Sequence, residues 1–190
     1  MPGNRLPLEY RSFYVDPARF KRAFLCPAQL MAAAMPKVQA SELLKEWAKR
    51  NRQNIDDLIE EFAYWKAMHN PLNSWAFGKD GFYARPTRNG KLVLRHVHLP
   101  PKEGTPQAKA WDIDFDRTNE KTSDSVLIYA EDRMYGFLLL YIVLEPEGHD
   151  FAEMRTQFDR QLMKLLADAA EAFIFNGTLM SISLPPRNSS

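Results

Sequence analysis

The feature that most constrains this chain is a run of eight apolar residues, Phe137 to Leu144, preceded by a second strand-like run, Ser125 to Tyr129. Eight residues fall far short of the roughly 20 needed to cross a bilayer. The longer run ends at Pro146-Glu147-Gly148, and the polar segment from Ala130 to Gly136 is a connection of hairpin length. Two further strands are expected upstream, Phe82 to Arg85 and Lys91 to Leu99, around a turn at Arg88-Asn89-Gly90. Sequential strands with short links favour an antiparallel sheet with helices on one side.

Helical spacing brackets this meander. Pro27 to Met35 and Ser41 to Arg50 read as helices separated at Pro36, and Ser12 to Val15 as a short strand. In the second helix Glu42, Lys45, Glu46 and Lys49 share one face, with Leu43, Leu44 and Trp47 on the other. Asn54 to His69 has Asn54 as N-cap, Asp57 at N3, and Ile55, Leu58, Ile59, Phe62, Trp65 and Met68 at helical intervals. Residues from Pro100 to about Ile113 read as a loop rich in Pro, Lys and Gly. A long closing helix starts at Asp150, with Glu153 at N3 and an apolar stripe from Phe151 to Phe173. The expected fold is α+β: N-terminal helices packed on a small antiparallel sheet, and a closing C-terminal helix. The expected organisation is a basic N-terminal extension over residues 1–53, a core domain over 54–175 and a flexible tail over 176–190.

Composition narrows the class. At 190 residues and 45% hydrophobic content the chain can bury a core, which excludes disorder throughout. The lone Cys26 has no partner for an internal disulfide, excludes a cysteine-based zinc site, and suits a reducing compartment as a buried thiol. The charged first 25 residues contain no apolar signal-peptide core, so a soluble cytoplasmic protein is expected. Residues 1–52 hold ten Lys or Arg against four acids, a net +6, so the other 138 residues carry −5 in a chain of net +1. That basic part suits either a nucleic-acid approach or a solvated helical face.

Candidate chemistry centres on Arg95-His96-Val97-His98. Alternation puts His96 and His98 on one strand face, roughly 7 Å apart along the chain, and Arg95 on the other. Such a pair serves as an acid and a base about a phosphate, as two metal ligands, or as hydrogen-bonded structural residues. For a metal, His149 or the acids Asp112, Asp114 and Asp116 are possible third ligands. The polar run from Asp116 to Ser125 is either a solvated turn or a loop that holds a phosphate or a base edge, with Arg117 as its cation. His149 follows the last strand beside a helix N-terminus, which favours anions. Tyr129 and Tyr141 more often fill a half-buried sheet than stack on bases. No GxSxG, P-loop, HExxH or GxGxxG pattern is present.

In order along the chain, these pieces resemble the YafO family of type II toxins. The matching segments are Phe77-Gly78-Lys79-Asp80, His96-Val97-His98-Leu99, Arg117-Thr118-Asn119-Glu120, Leu127-Ile128-Tyr129, Leu144-Glu145-Pro146-Glu147-Gly148-His149 and Ala170-Glu171-Ala172-Phe173, within about residues 55–175. The resemblance implies a RelE/ParE-like fold and a ribosome-dependent mRNA endoribonuclease with no cofactor. It also implies that mRNA on the ribosome and a cognate antitoxin are the partners, with no membrane involved. On that basis His96 and His98 are the expected acid–base pair, with Arg117, Tyr129 and His149 as further catalytic candidates. Arg95, Lys121, Ser123 and Asp124 are the expected RNA contacts. A gyrase-poisoning toxin that acts by binding, a metal enzyme built on His96 and His98, and a protein-binding module are the alternatives.

Overall fold

The computed structural model describes residues 35–70, 74–102, 104–118 and 120–186. Cys26, the strand expected at 12–15 and all but the last residue of the helix expected at 27–35 lie outside them. The elements are β1 (Val38–Ala40), α1 (Glu42–Arg50), α2 (Ile55–Ala67), β2 (Asp80–Phe82), β3 (Thr87–Arg88), β4 (Lys91–Leu92), β5 (Arg95–His98), α3 (Pro106–Thr118), β6 (Val126–Asp132), β7 (Gly136–Val143), α4 (Gly148–Ala152) and α5 (Gln157–Asn176). The α+β class holds. Five strands form one sheet in the order β1-β7-β6-β5-β2, and β3 and β4 form a separate hairpin. The sheet is antiparallel except that β1 runs parallel to β7. No helix among the described residues is long and apolar enough to cross a membrane.

Helices cover both faces of the sheet, not one. The apolar residues of β6 and β7 run consecutively, so both sides need cover. Leu127, Tyr129, Leu139 and Ile142 face Leu44 of α1 and Phe62 and Trp65 of α2. Val126, Ile128, Ala130, Leu138 and Leu140 face Leu162, Leu166, Ala170 and Phe173 of α5. The register of β7 slips between the partners of Ile128 and Tyr129, leaving Leu140 as an extra residue. That bulge keeps both apolar sets pointing inward. Residues 38–50 are built into the same sheet and core: β1 pairs with β7, and Ala40, Leu43 and Leu44 are buried.

Several element boundaries differ from expectation for local reasons. The expected loop after Pro100 contains α3, because the Thr105 hydroxyl accepts from the Ala108 amide at 3.2 Å and Pro106 opens the helix. The strand expected over 91–99 is split. Lys91 and Leu92 close the Asn89-Gly90 hairpin, where both turn residues have positive φ (49° and 72°), and β5 begins only at Arg95. The strand expected at 82–85 sits two residues earlier, as β2. The helix expected from Asp150 breaks after Ala152, where Met154 has a φ of 54°. A new capping box, Thr156 with Asp159, starts α5, and Gly177 at φ 75° ends it.

One serine ties helix to sheet. The Ser41 hydroxyl accepts from the Leu44 amide at 3.1 Å, capping α1, and donates to the Leu140 carbonyl at 2.7 Å on the bulge of β7. Ser41→Ala removes a cap and strands a buried carbonyl. It is expected to cost about 1–3 kcal/mol in urea unfolding, with the denaturant slope unchanged.

Candidate active site

Strand β2 is the sheet edge, and its register with β5 fixes what each face presents. Gly81 lies opposite His96, while Asp80 and Phe82 lie opposite Val97 and Arg95. Residues paired across an antiparallel ladder share a face. His96 and His98 therefore project to the α5 side, and Asp80 and Arg95 to the α2 side. The main contacts of α5 are with β6, β7 and β3, and both histidines stay half-buried.

The two imidazoles meet edge to face, with ring centroids 5.5 Å apart. Tyr83 lies 4.5 Å from His96, centroid to centroid, and Gly81 lies opposite His96 on the neighbouring strand. The His96 Nδ1 is buried without a hydrogen-bond partner. Burial, helped by the neighbouring His98, pushes its pKa down to about 4. His98 is held differently. Its Nδ1 lies 2.6 Å from the Ser123 carbonyl and 3.2 Å from the Ser123 amide. The shorter contact assigns the proton to Nδ1, which leaves a lone pair on Nε2. Burial lowers the His98 pKa, against the opposing pull of the Ser123 bond.

Lys79 joins this face from the segment ahead of β2. Its carbonyl accepts from the His98 amide at 3.0 Å, and the Gly78 amide donates to the His98 carbonyl at 2.8 Å. The Lys79 ammonium sits 3.1 Å from Glu120, both half-exposed. Gly78 is forced: a Cβ there would lie 2.1 Å from the Lys121 carbonyl oxygen. The segment 121–125 is pinned in turn. Asp124 accepts from the His149 amide at 2.7 Å, and the Lys121 carbonyl accepts from the Lys79 amide at 2.8 Å.

The opposite face carries a buried ionic hub. Asp80 receives the Lys66 ammonium at 2.8 Å, Arg95 at 3.1 Å and the Tyr129 hydroxyl at 2.7 and 2.8 Å. Tyr129 also lies 2.7 Å from Lys66 and 2.8 Å from Arg95 Nε. Burial alone would raise the Asp80 pKa, but two cations and the donated hydrogen bonds hold it below the usual carboxylate range. Tyr129 is fully buried and kept protonated by burial and by the adjacent carboxylate. Beside the hub a cavity of about 470 Å³ opens between the end of α2, residues 78–80, and Thr118, Glu120 and Lys121, with Trp65, Asn70, Lys79 and Arg95 also among its walls.

The structure thus gathers His96, His98 and Ser123, with Asp124 next to them. Arg95 and Tyr129 lie on the other face, in the hub. Lys121 is buried in the cavity wall, its ammonium 3.0 Å from the Ser74 carbonyl. Arg117 is exposed in the last turn of α3. The His149 side chain is 77% exposed and meets Glu153 at 3.4 Å, while its backbone amide is the one bonded to Asp124. No three His, Cys, Asp or Glu among the described residues are grouped to hold a metal ion. Side chains 112 and 114–116 are outside the description. Lys79 and Asp80 stood in the sequence only as part of the Phe77-Gly78-Lys79-Asp80 segment, without an expected role, and Lys66 and Tyr83 were not singled out. One signal was present: Lys66 stands four residues after Phe62, which puts a charge on the apolar stripe of α2.

Two measurements check this geometry. Asp80→Asn leaves Lys66 charged and buried, so unfolding should show a loss of about 3–5 kcal/mol, against about 1–3 for Tyr129→Phe. NMR titration should find His96 neutral at pH 7 and protonated only near pH 4, with His98 below 6.5. Above pH 6.5 neither the native nor the unfolded chain protonates His96. Below it the unfolded chain takes a proton that the native one refuses, so stability falls toward pH 4. His96→Gln should make that fall shallower.

Residues 63–175, more than half of the 190-residue chain, match the family model for toxin YafO of a type II toxin–antitoxin system. No curated protein and no solved structure matches. The matched stretch holds α2 from Ala63 onward, the strands β2 to β7, the histidine pair, the ionic hub and nearly all of α5. The chain therefore belongs to the YafO family, the toxins of type II toxin–antitoxin systems, whose partner is an antitoxin.

Proposed function

We propose that this toxin is a ribosome-dependent mRNA endoribonuclease that stops translation by acid–base cleavage at His96 and His98. The observation that carries this is the pair itself: two imidazoles 5.5 Å apart on one half-buried sheet face, one with its tautomer fixed. His98 Nε2 takes the proton from a ribose 2′-hydroxyl. The 2′-oxygen attacks the adjacent phosphorus and the bond to the 5′-oxygen breaks, giving a 2′,3′-cyclic phosphate. A proton from His96 completes the new 5′-hydroxyl. His96 is neutral in the free protein, so it must gain that proton when the anionic phosphate comes to rest beside it. A phosphate anion next to a buried imidazole raises its pKa.

Tyr129, Arg95 and Asp80 act behind this face by holding β2 on β5. Arg117 and His149 have no part in the step. The ribosome supplies substrate alignment, which is worth several orders of magnitude in rate, so slow cleavage of free RNA is consistent with the proposal. The test is induction of wild type and of a His96→Ala, His98→Ala double variant, with mapping of cellular mRNA 5′ ends. The variant is expected to lose at least about a hundredfold of cleavage and the growth arrest with it. Equal cleavage and arrest from both would overturn the histidine assignment. Arrest with intact mRNA and impaired supercoiling would replace it with gyrase poisoning.

A further inference from the structure

We infer that Lys79 is the cation that receives the scissile phosphate, and that Glu120 is the counter-ion it gives up when RNA arrives. This rests on the cleavage at His96 and His98 proposed above and supplies what that step lacks. When the 2′-oxygen attacks, the phosphorus takes a fifth oxygen and negative charge builds on its non-bridging oxygens. A base and an acid move protons but leave that charge uncovered. Lys66 and Arg95 are committed to Asp80 on the other face, and the Lys121 ammonium lies on the Ser74 carbonyl.

The backbone places Lys79 for the task. Asp80 lies opposite Val97, and Gly81 opposite His96. One residue ahead of β2, the Lys79 carbonyl accepts from the His98 amide at 3.0 Å, which continues that register. Neighbours across an antiparallel ladder share a face, so the lysine stem starts on the side of the imidazoles. Its charge reaches them. Burial is the main reason both imidazoles titrate low, and the Lys79 charge adds to it at each ring. The ammonium stands 3.1 Å from the Glu120 carboxylate, with both side chains half-exposed. An exposed pair of this kind contributes little to stability. A phosphate oxygen offers the same ammonium a charge-assisted hydrogen bond, so the exchange costs little. In the step Lys79 donates hydrogen bonds to a non-bridging oxygen and keeps its proton, and Glu120 turns to solvent. The anion held there favours the protonated His96 that the leaving 5′-oxygen needs.

The test is an NMR pH titration of the full-length toxin, with and without sulfate at constant ionic strength, read at the imidazole C–H resonances. Sulfate is the probe because its charge does not change over the titration. In the wild type sulfate should act saturably and raise the proton affinity of both imidazoles about tenfold. Lys79→Ala should raise both pKa values in the free protein, since it removes a charge that depresses them. It should also weaken sulfate about tenfold or more, while Lys79→Arg retains the response. Glu120→Gln should tighten sulfate and lower the His98 pKa, which that carboxylate raises. At a half-exposed position, Lys79→Ala should unfold at the wild-type urea midpoint. On induction it should lose about a hundredfold of mRNA cleavage. No saturable sulfate effect, or the same effect in wild type and Lys79→Ala, overturns the assignment. Full cleavage by Lys79→Ala beside an inactive histidine double variant also overturns it and leaves the histidine reading standing. A sulfate response that depends on Lys79, together with undiminished cleavage by the histidine double variant, supports the anion site and sinks the histidine assignment alone.

Discussion

Asp80 is the point on which the edge of this sheet depends. Its carboxylate draws together Lys66 from α2, Arg95 from β5 and the Tyr129 hydroxyl from β6, so that one acid fixes three elements around β2. The cluster is largely buried: the Asp80 and Lys66 side chains are 10% and 6% exposed. Aromatic rings enclose it, with Phe62 5.1 Å from Tyr129 and Arg95 4.3 Å above Phe82. Such a cluster gains little over an apolar core of the same shape, but it is costly to leave half-made. Its consequence is register. A one-residue slip of β2 on β5 would bring Gly81 into the hub and move Asp80 to the histidine face.

Register is also what makes the two faces of β5 unlike each other. On one side charge is neutralised within the protein. On the other, two imidazoles are kept neutral by burial and differ in how they are held. His98 has a fixed tautomer because the Ser123 carbonyl demands a donor, and Ser123 is itself anchored by its hydroxyl to the Leu99 carbonyl at 2.5 Å. His96 has a stacked tyrosine and an unpartnered nitrogen. Two chemically identical side chains, two residues apart, thus have separate protonation behaviour.

Much of this was legible in the sequence because it follows from periodicity and short-range chemistry. The pairing of β6 with β7, the Asn54 cap, the Asn89-Gly90 turn and the opposite facing of Arg95 and His96 all rest on rules spanning a few residues. What escaped depends on tertiary partners. The apolar run in β7 was visible, but alternation gave no hint that it would be covered on both sides and joined by a parallel β1. The start of α3 was written in Thr105-Pro106, yet the surrounding Pro, Lys and Gly masked it. The hub escaped most fully. Lys66, Asp80, Arg95 and Tyr129 are spread over 64 positions, and only the fold shows that four polar residues satisfy one another.

The charge balance fits a protein that binds through shape. A net charge of +1 gives little bulk attraction to a polyanion. The cationic groups near the candidate site are instead placed singly: Lys66 and Arg95 on Asp80, Lys121 on the Ser74 carbonyl, and Lys79 on a carboxylate it can release. Of these, only the Lys79 contact is exposed enough for an incoming phosphate to compete for it. On the proposed reading, a site built this way discriminates by where the phosphate can stand. If the ribosome already holds the message in place, one exchangeable cation and two neutral imidazoles need little help from the rest of the surface.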